Sequence, residues 1–373
     1  MLRQRLQSSI ETGFSLIEIM IGMVIGALGV AIMLQLFAAS EGQNRTITAG
    51  GDAQINAAIA MNTLRADILI SGYGLAYPML GCDVLLPSGV TIAGMAPVTI
   101  NPAAIPAGDP NTDTVLVAYG SGNGSSEGDG ITSAPPTGFP NNVYAVQTPT
   151  SFASGDLVIA LPRIPTPPPL CNNGVGLVID RVTNVLVSNV TVAAGVAGMA
   201  NGRLYNLGQT VTLRAYAVRG GNLTVCDYGV NDCGLAANVG NEAIWTPIAG
   251  GIVSMRAQYA RDTLTPAPVT TPEPQIFYRA DTYDQTAPAC WARVSAVRMA
   301  LVARSDQLEK PTGSPANHVT SQAPVWAGSA TSPIDVSGYP AAAGFSWQDY
   351  RYKVLQTVMP LRNVSWIGVQ AGC

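Results

Sequence analysis

Between Phe14 and Ala39 the chain runs for 26 residues whose only ionisable side chain is Glu18. A helix rises about 1.5 Å per residue, so this stretch reaches roughly 39 Å, more than the roughly 30 Å hydrocarbon core of a bilayer. It can span a membrane, and it carries one carboxylate near its start. A carboxylate in hydrocarbon is costly and persists where something pairs with it. A cut after Gly13 would supply that partner, because the new α-amino group of Phe14 would be a cation close to Glu18. In a bundle of such helices, the carboxylate of one subunit could meet the amine of its neighbour.

The residues Gly13, Phe14, Ser15, Leu16, Ile17 and Glu18, followed by an unbroken apolar helix, resemble the N-terminal site of type IV pilins. The resemblance implies a prepilin peptidase that cuts after Gly13, N-methylation of Phe14, and Glu18 as the buried carboxylate used in assembly. Residues 1–13 fit a leader. They are short and basic through Arg3 and Arg5 and lack an apolar region of their own, so the apolar run stays in the mature product, unlike an ordinary secretory signal. The positive charges favour a cytoplasmic N-terminus and place the rest of the chain outside.

Only 11% of the 373 residues are charged, and 39 are glycine and 27 proline, which points to a β-rich, loop-rich chain. The formal charge of −4 becomes −5 once the leader leaves, since it holds two arginines and one glutamate. No basic patch is available for nucleic acid. Six cysteines, Cys82, Cys171, Cys226, Cys233, Cys290 and Cys373, all follow the apolar run, where an oxidising periplasm would let them pair. Sequence cannot choose the connectivity. Cys226 and Cys233, which bracket a turn-rich loop, are the simplest pair. With no CxxC and His318 as the single histidine, a zinc-type ligand set has little to draw on, and no metal or cofactor is expected.

After Ala39 the pattern becomes amphipathic, with Ile55, Ile59, Leu64 and Ile68 at helical spacings. Gly50-Gly51 predicts a kink or a frayed turn, and Ser71-Gly72-Tyr73-Gly74 a stop. From there strands are expected at Thr114 to Tyr119, Asp156 to Leu161, Leu177 to Asp180, Val185 to Val192, Val211 to Val218, Glu242 to Ile248, Ile252 to Tyr259, Gln275 to Arg279 and Tyr350 to Leu361. One short helical turn is expected from Trp291 to Ser295. Loops are expected at Gly120 to Gly130 and, as extended polyproline, at Pro165 to Pro169. The resulting expectation is an α+β fold. A long helix over 14–72, membrane-spanning over 14–39, packs on a β-rich head whose first part is 73–240 and second part 241–373.

The second part resembles the PilW branch of minor type IV pilins. The residues that carry this are Ile252 to Tyr259 with Asp262, Trp291 with Val294 to Ser305, and Tyr350-Arg351-Tyr352 leading to Thr357 to Asn363. Asp113 to Val117 and Ser71-Gly72-Tyr73 also fit, whereas Gly120 to Gly250 departs from the family pattern. The resemblance implies a non-enzymatic minor pilin that helps to initiate pilus assembly in a tip complex. Its expected partners are other minor pilins, the major pilin, the prepilin peptidase, the inner-membrane assembly platform and a tip adhesin. It would sit in the inner membrane with a periplasmic head before assembly, and on the pilus afterwards. A minor pseudopilin of a type II secretion system shares this N-terminus, and an adhesive binding module displayed on the fibre is a further reading.

Competing chemistry is poorly supported. Gly124-Ser125-Ser126-Glu127-Gly128 fits a GxSxG nucleophile elbow, but Asp129-Gly130 and Pro135-Pro136 follow where a helix is required, and His318 would have to be the base. Asp109, Asn111 and Asp113 have calcium-loop spacing, yet the twelfth position is Gly120 rather than Glu, so an Asx-rich turn is the simpler reading. The Gly-rich segment holds no basic residue to meet a phosphate. Trp245, Trp326, Trp347 and Trp366 could line an adhesive surface or fill core and rim positions. The pairing argument predicts that Glu18→Val still loses its leader, seen as a mobility shift on gels, but is not incorporated into sheared pili. Normal incorporation would break the argument.

Overall fold

The computed structural model describes residues 15–76, 79–122, 127–163, 177–261, 282–286, 291–309, 318–329 and 333–365. The polyproline stretch, the strand expected at Gln275 to Arg279, Ser125-Ser126 of the GxSxG match and Trp366 lie outside them. Two compact units divide between Gly51 and Asp52. The first is the apolar part of a helix, α1 (Leu16–Ile70), whose residues from Leu16 to Gly42 are all exposed. The helix assignment runs unbroken through Gly50 and Gly51.

The second unit is built from strands. In chain order these are β1 (Val84–Leu85), β2 (Thr91–Ile92), β3 (Val98–Ile100), β4 (Val115–Gly120), β5 (Asp129–Ser133), β6 (Val143–Val146), β7 (Leu157–Leu161), β8 (Leu177–Val185) and β9 (Asn189–Val192). They continue with β10 (Arg203–Gly208), β11 (Val211–Arg219), β12 (Asn222–Asp227), β13 (Thr246–Gly250), β14 (Ile252–Arg261), β15 (Thr282–Asp284), β16 (Val294–Leu308) and β17 (Tyr350–Pro360). A four-residue helix, α2 (Arg362–Ser365), follows. With 17 strands against two α-helices among the described residues, the chain is mainly β, and the α+β expectation is corrected. The cause is local. After Ser71 many of the apolar runs are rich in Val and Ile and punctuated by Gly, Pro, Asn and Ser, which favours strands, and α1 is the only long helix among the described residues.

Three smaller expectations are also corrected. Val185 to Val192 is not one strand, because the Leu186 N–H donates to the Asn189 carbonyl at 2.8 Å and closes a tight turn between β8 and β9. Glu242 to Trp245 is a turn, since the Asn241 side chain accepts from Ala243 and its carbonyl accepts from Ile244 and Trp245. Asp129-Gly130, placed in a loop by composition, opens β5.

Three sheets result. A five-stranded sheet has the order β13-β12-β11-β4-β3, and a four-stranded sheet the order β15-β14-β16-β17. The third has eight strands in the order β2-β1-β8-β7-β10-β5-β6-β9, and an added pairing of β8 with β9 closes six of them into a barrel. All the barrel strands fall between β4 and β11, which pair directly with Gly120 opposite Val211. The barrel is therefore an excursion from a single hairpin. Its entry and exit touch where Ser121 and Gly122 donate to the Leu207 carbonyl at 2.8 and 3.0 Å. Glycine is needed there, because a Cβ on Gly122 would stand 2.4 Å from the Gly208 nitrogen.

The barrel has its own core, including Ile131, Tyr144, Val158, Val182, Val190 and Leu204. The larger core joins the five- and four-stranded sheets to the second part of α1 through Ala53, Ala57, Ala60, Met61, Leu64 and Ile68. Three of these contacts are alanines, which let the helix lie close to the sheet. Ile55 and Ile59, expected on the buried stripe, are instead 59% and 49% exposed. Leu64→Ala is expected to cost about 2–5 kcal/mol and Ile59→Ala less than about 0.5 kcal/mol, read from urea unfolding of the full chain in detergent.

Candidate assembly site

Two carboxylates on α1 meet opposite circumstances. Glu18 lies in the first turn, its N–H bonded to the Ser15 carbonyl at 2.9 Å, within an exposed helical segment of mean hydropathy 2.4. Gly13 and Phe14, the expected cleavage and methylation positions, lie outside the described residues. Asp67 lies 49 positions later on the buried face, one turn from Leu64 and adjacent to Ile68. Its oxygens accept from the Arg214 guanidinium at 3.0 and 3.1 Å, from the Tyr216 hydroxyl at 2.5 Å and from the Tyr119 hydroxyl at 3.2 Å.

This cluster ties the helix to β4 and β11, and sequence reading missed it. The signal was present, since an acid at a core position of an amphipathic stripe needs partners that can pay its desolvation. Burial, then the hydrogen bond to Asp67, pushes the Tyr216 phenol far above its ordinary range. Burial lowers the Arg214 pKa, but Asp67 outweighs it and raises the net value. The end of the helix is fastened as well. Asn363 donates to the carbonyls of Ile70 and Ser71 at 3.0 Å each, and Gly72 donates to Ala118 at 2.8 Å.

Asp109, Asn111 and Asp113 do not converge. Asp109 accepts from the backbone of Gly220 and Gly221, and Asn111 donates to Asp335 at 2.9 Å. Asp113 is buried and accepts from Asn101, from the Ala257 N–H at 2.9 Å and from Gln285, with Arg256 at 3.6 Å. Its role is to join the start of β4 to β14. Each residue of the calcium-spaced trio is thus committed to a different neighbour.

Cys226 and Cys233 form a disulfide with Cα atoms 5.9 Å apart, closing the loop after β12. Cys82 is also disulfide-bonded, and Cys171, Cys290 and Cys373 lie outside the described residues. Of the tryptophans offered for an adhesive surface, Trp245 is buried beneath Arg219, and Trp326 and Trp347 are half-buried. Trp326 stacks on Arg298, which also lies over Tyr283, while Arg304 lies between Tyr339 and Tyr350. These arginines clasp the segment around Ile334 and Val336 onto β16 and β14.

His318 pairs with Asp349 at 2.8 Å, and Asp349 also caps Ser346 at the turn before β17. Burial opposes the charge on Asp349, but the Ser346 N–H and His318 outweigh it and hold the carboxyl below its ordinary 3.8.

The three sequence motifs that resemble PilW fall on β14, on β16 and on β17 with α2, adjacent elements of one sheet and its end. Residues 230–363 match the family model described as type IV pilus-assembly protein W. No curated protein and no solved structure matches the chain.

Asp67→Ala leaves a half-exposed guanidinium and a buried phenol without their acceptor. The expected loss is about 2–3 kcal/mol in urea unfolding, below that of a fully buried pair because the Arg214 side chain is 41% exposed. For Asp349 the folded pKa lies below the unfolded one, so its contribution is full above the unfolded value and is lost as pH falls through the folded value. The variant Asp349→Asn should therefore change less in melting temperature than the native chain between about pH 5 and pH 2.

Proposed function

We propose that this chain is a non-enzymatic, membrane-anchored subunit that takes part in the assembly of type IV pili, within a minor-pilin complex at the fibre tip. One combination carries this reading: a 27-residue exposed apolar helical span, Leu16–Gly42, stands in the same chain as a match to a pilus-assembly family over 230–363. The span supplies a membrane anchor. Glu18 in its first turn supplies a carboxylate that a neighbouring subunit's terminal amine would neutralise, once the leader is cut at Gly13 and Phe14 is methylated.

In this reading α1 carries the load from the anchor to the strands. The four-stranded sheet, whose strands all lie within the matched residues 230–363, is the surface that meets other minor pilins. The barrel favours an additional display role for the chain. It lies wholly outside 230–363 and leaves from a single hairpin, as an inserted module does.

Deleting the gene tests the proposal. Surface pili should fall at least about tenfold and return on complementation, while secretion of exported enzymes stays unchanged. Unchanged pili with lost secretion would assign the chain to a secretion system instead.

A further inference from the structure

A cleft of about 290 Å³ opens between α1 and the disulfide-closed loop that follows β12. Thr63 of the helix forms one wall, and Val230 and Asn231 of the loop form the other. Val225 and Ile244, both half-buried, contribute apolar surface, and Asp227 and Thr246 add polar groups. The cleft belongs entirely to the second compact unit.

Its charge is uneven. Arg214 and Asp227 are direct cross-strand partners in β11 and β12, which puts their side chains on one face of the sheet. Arg214 nevertheless pairs with Asp67 on the helix. Among the described residues no cation forms an ion pair with Asp227, whose carboxylate accepts a local hydrogen bond from the Gly229 N–H at 2.8 Å. With Arg214 neutralised by Asp67, the cleft keeps one net negative charge. Asp227, Asn231 and Thr246 bring acceptor oxygens to its lining, and Val225 and Ile244 bring apolar surface.

A lysine side chain fits that chemistry. Its ammonium has three donors and no acceptor, and its four-carbon stem can lie on apolar surface. We propose that the cleft receives a lysine side chain from a neighbouring pilus subunit, with the ammonium against Asp227 and the stem along Val225 and Ile244. Val230, 80% exposed at the wall, would pack on the same neighbour. The inference rests on the assembly role proposed above, and its test separates the two.

The test uses purified pili treated with a water-soluble carbodiimide, which activates a carboxylate as an O-acylisourea that a primary amine displaces, forming an amide and releasing the urea. Mass spectrometry of the digest should find the Asp227 peptide joined through an isopeptide bond to a lysine of another pilus protein. Asp227 recovered unlinked, or joined only to Lys310 or Lys353 of this same sequence, would overturn the proposal. In cells, Asp227→Lys should lower surface pili about tenfold with processed protein at its normal level, while Asp227→Glu keeps them. If gene deletion abolishes pili but Asp227→Lys assembles normally, the lysine site fails and the assembly role stands. If deletion changes nothing, the assembly role itself fails.

Discussion

A charge removed from water must be met by an opposite charge or by donors, and α1 presents that requirement at Asp67 and, in the reading proposed here, again at Glu18. At Asp67 the chain meets it alone, with one arginine and two tyrosines brought from β4 and β11. At Glu18, among the described residues, no side chain of the protein offers a donor. The first arrangement fixes the helix to its own sheets. The second, in the reading proposed here, leaves a requirement that another molecule satisfies, and so couples burial of the apolar span to association.

The rest of the second unit follows from how the helix is held. Alanines at 53, 57 and 60 bring it close, Leu64 and Ile68 supply apolar contact, and Asn363 returns from the far end of the chain to cover the last carbonyls. Asp113 then joins the five-stranded sheet to the four-stranded one through Ala257 and Arg256. The barrel has a core of its own and both of its ends at one pair of strands, and it also packs on the larger core through Ile159 and Leu161 of β7, Ile179 of β8 and Leu207 of β10.

Much of this was legible in the residues themselves. The alternation in Ile252 to Tyr259 marks β14 because period-two patterning fixes which face is buried, and the long apolar run, with Glu18 as the only ionisable side chain before Ala39, marks the exposed helical span Leu16–Gly42. The barrel was not legible. Its strands are short, several begin in Gly-rich sequence, and closure depends on β10 reaching both β7 and β5 and on β6 pairing with β9, contacts between segments far apart in the chain that no local pattern encodes. The helix face was misread for a related reason. Isoleucine spacing suggested the buried side, but close packing selected alanine, leaving Ile55 and Ile59 outward. Asp67 could have been found by asking why a core position holds an acid, whereas Arg214, Tyr216 and Tyr119 lie far away in sequence and only the fold brings them to it.

The central claim is that Glu18 is tolerated because processing creates a terminal amine to neutralise it. Intact-mass and N-terminal peptide analysis of the native protein, taken from membranes and from sheared fibres, tests this most directly. The account predicts a chain that begins at N-methylated Phe14 in both fractions. A chain that keeps residues 1–13, or begins at any other residue, would contradict it.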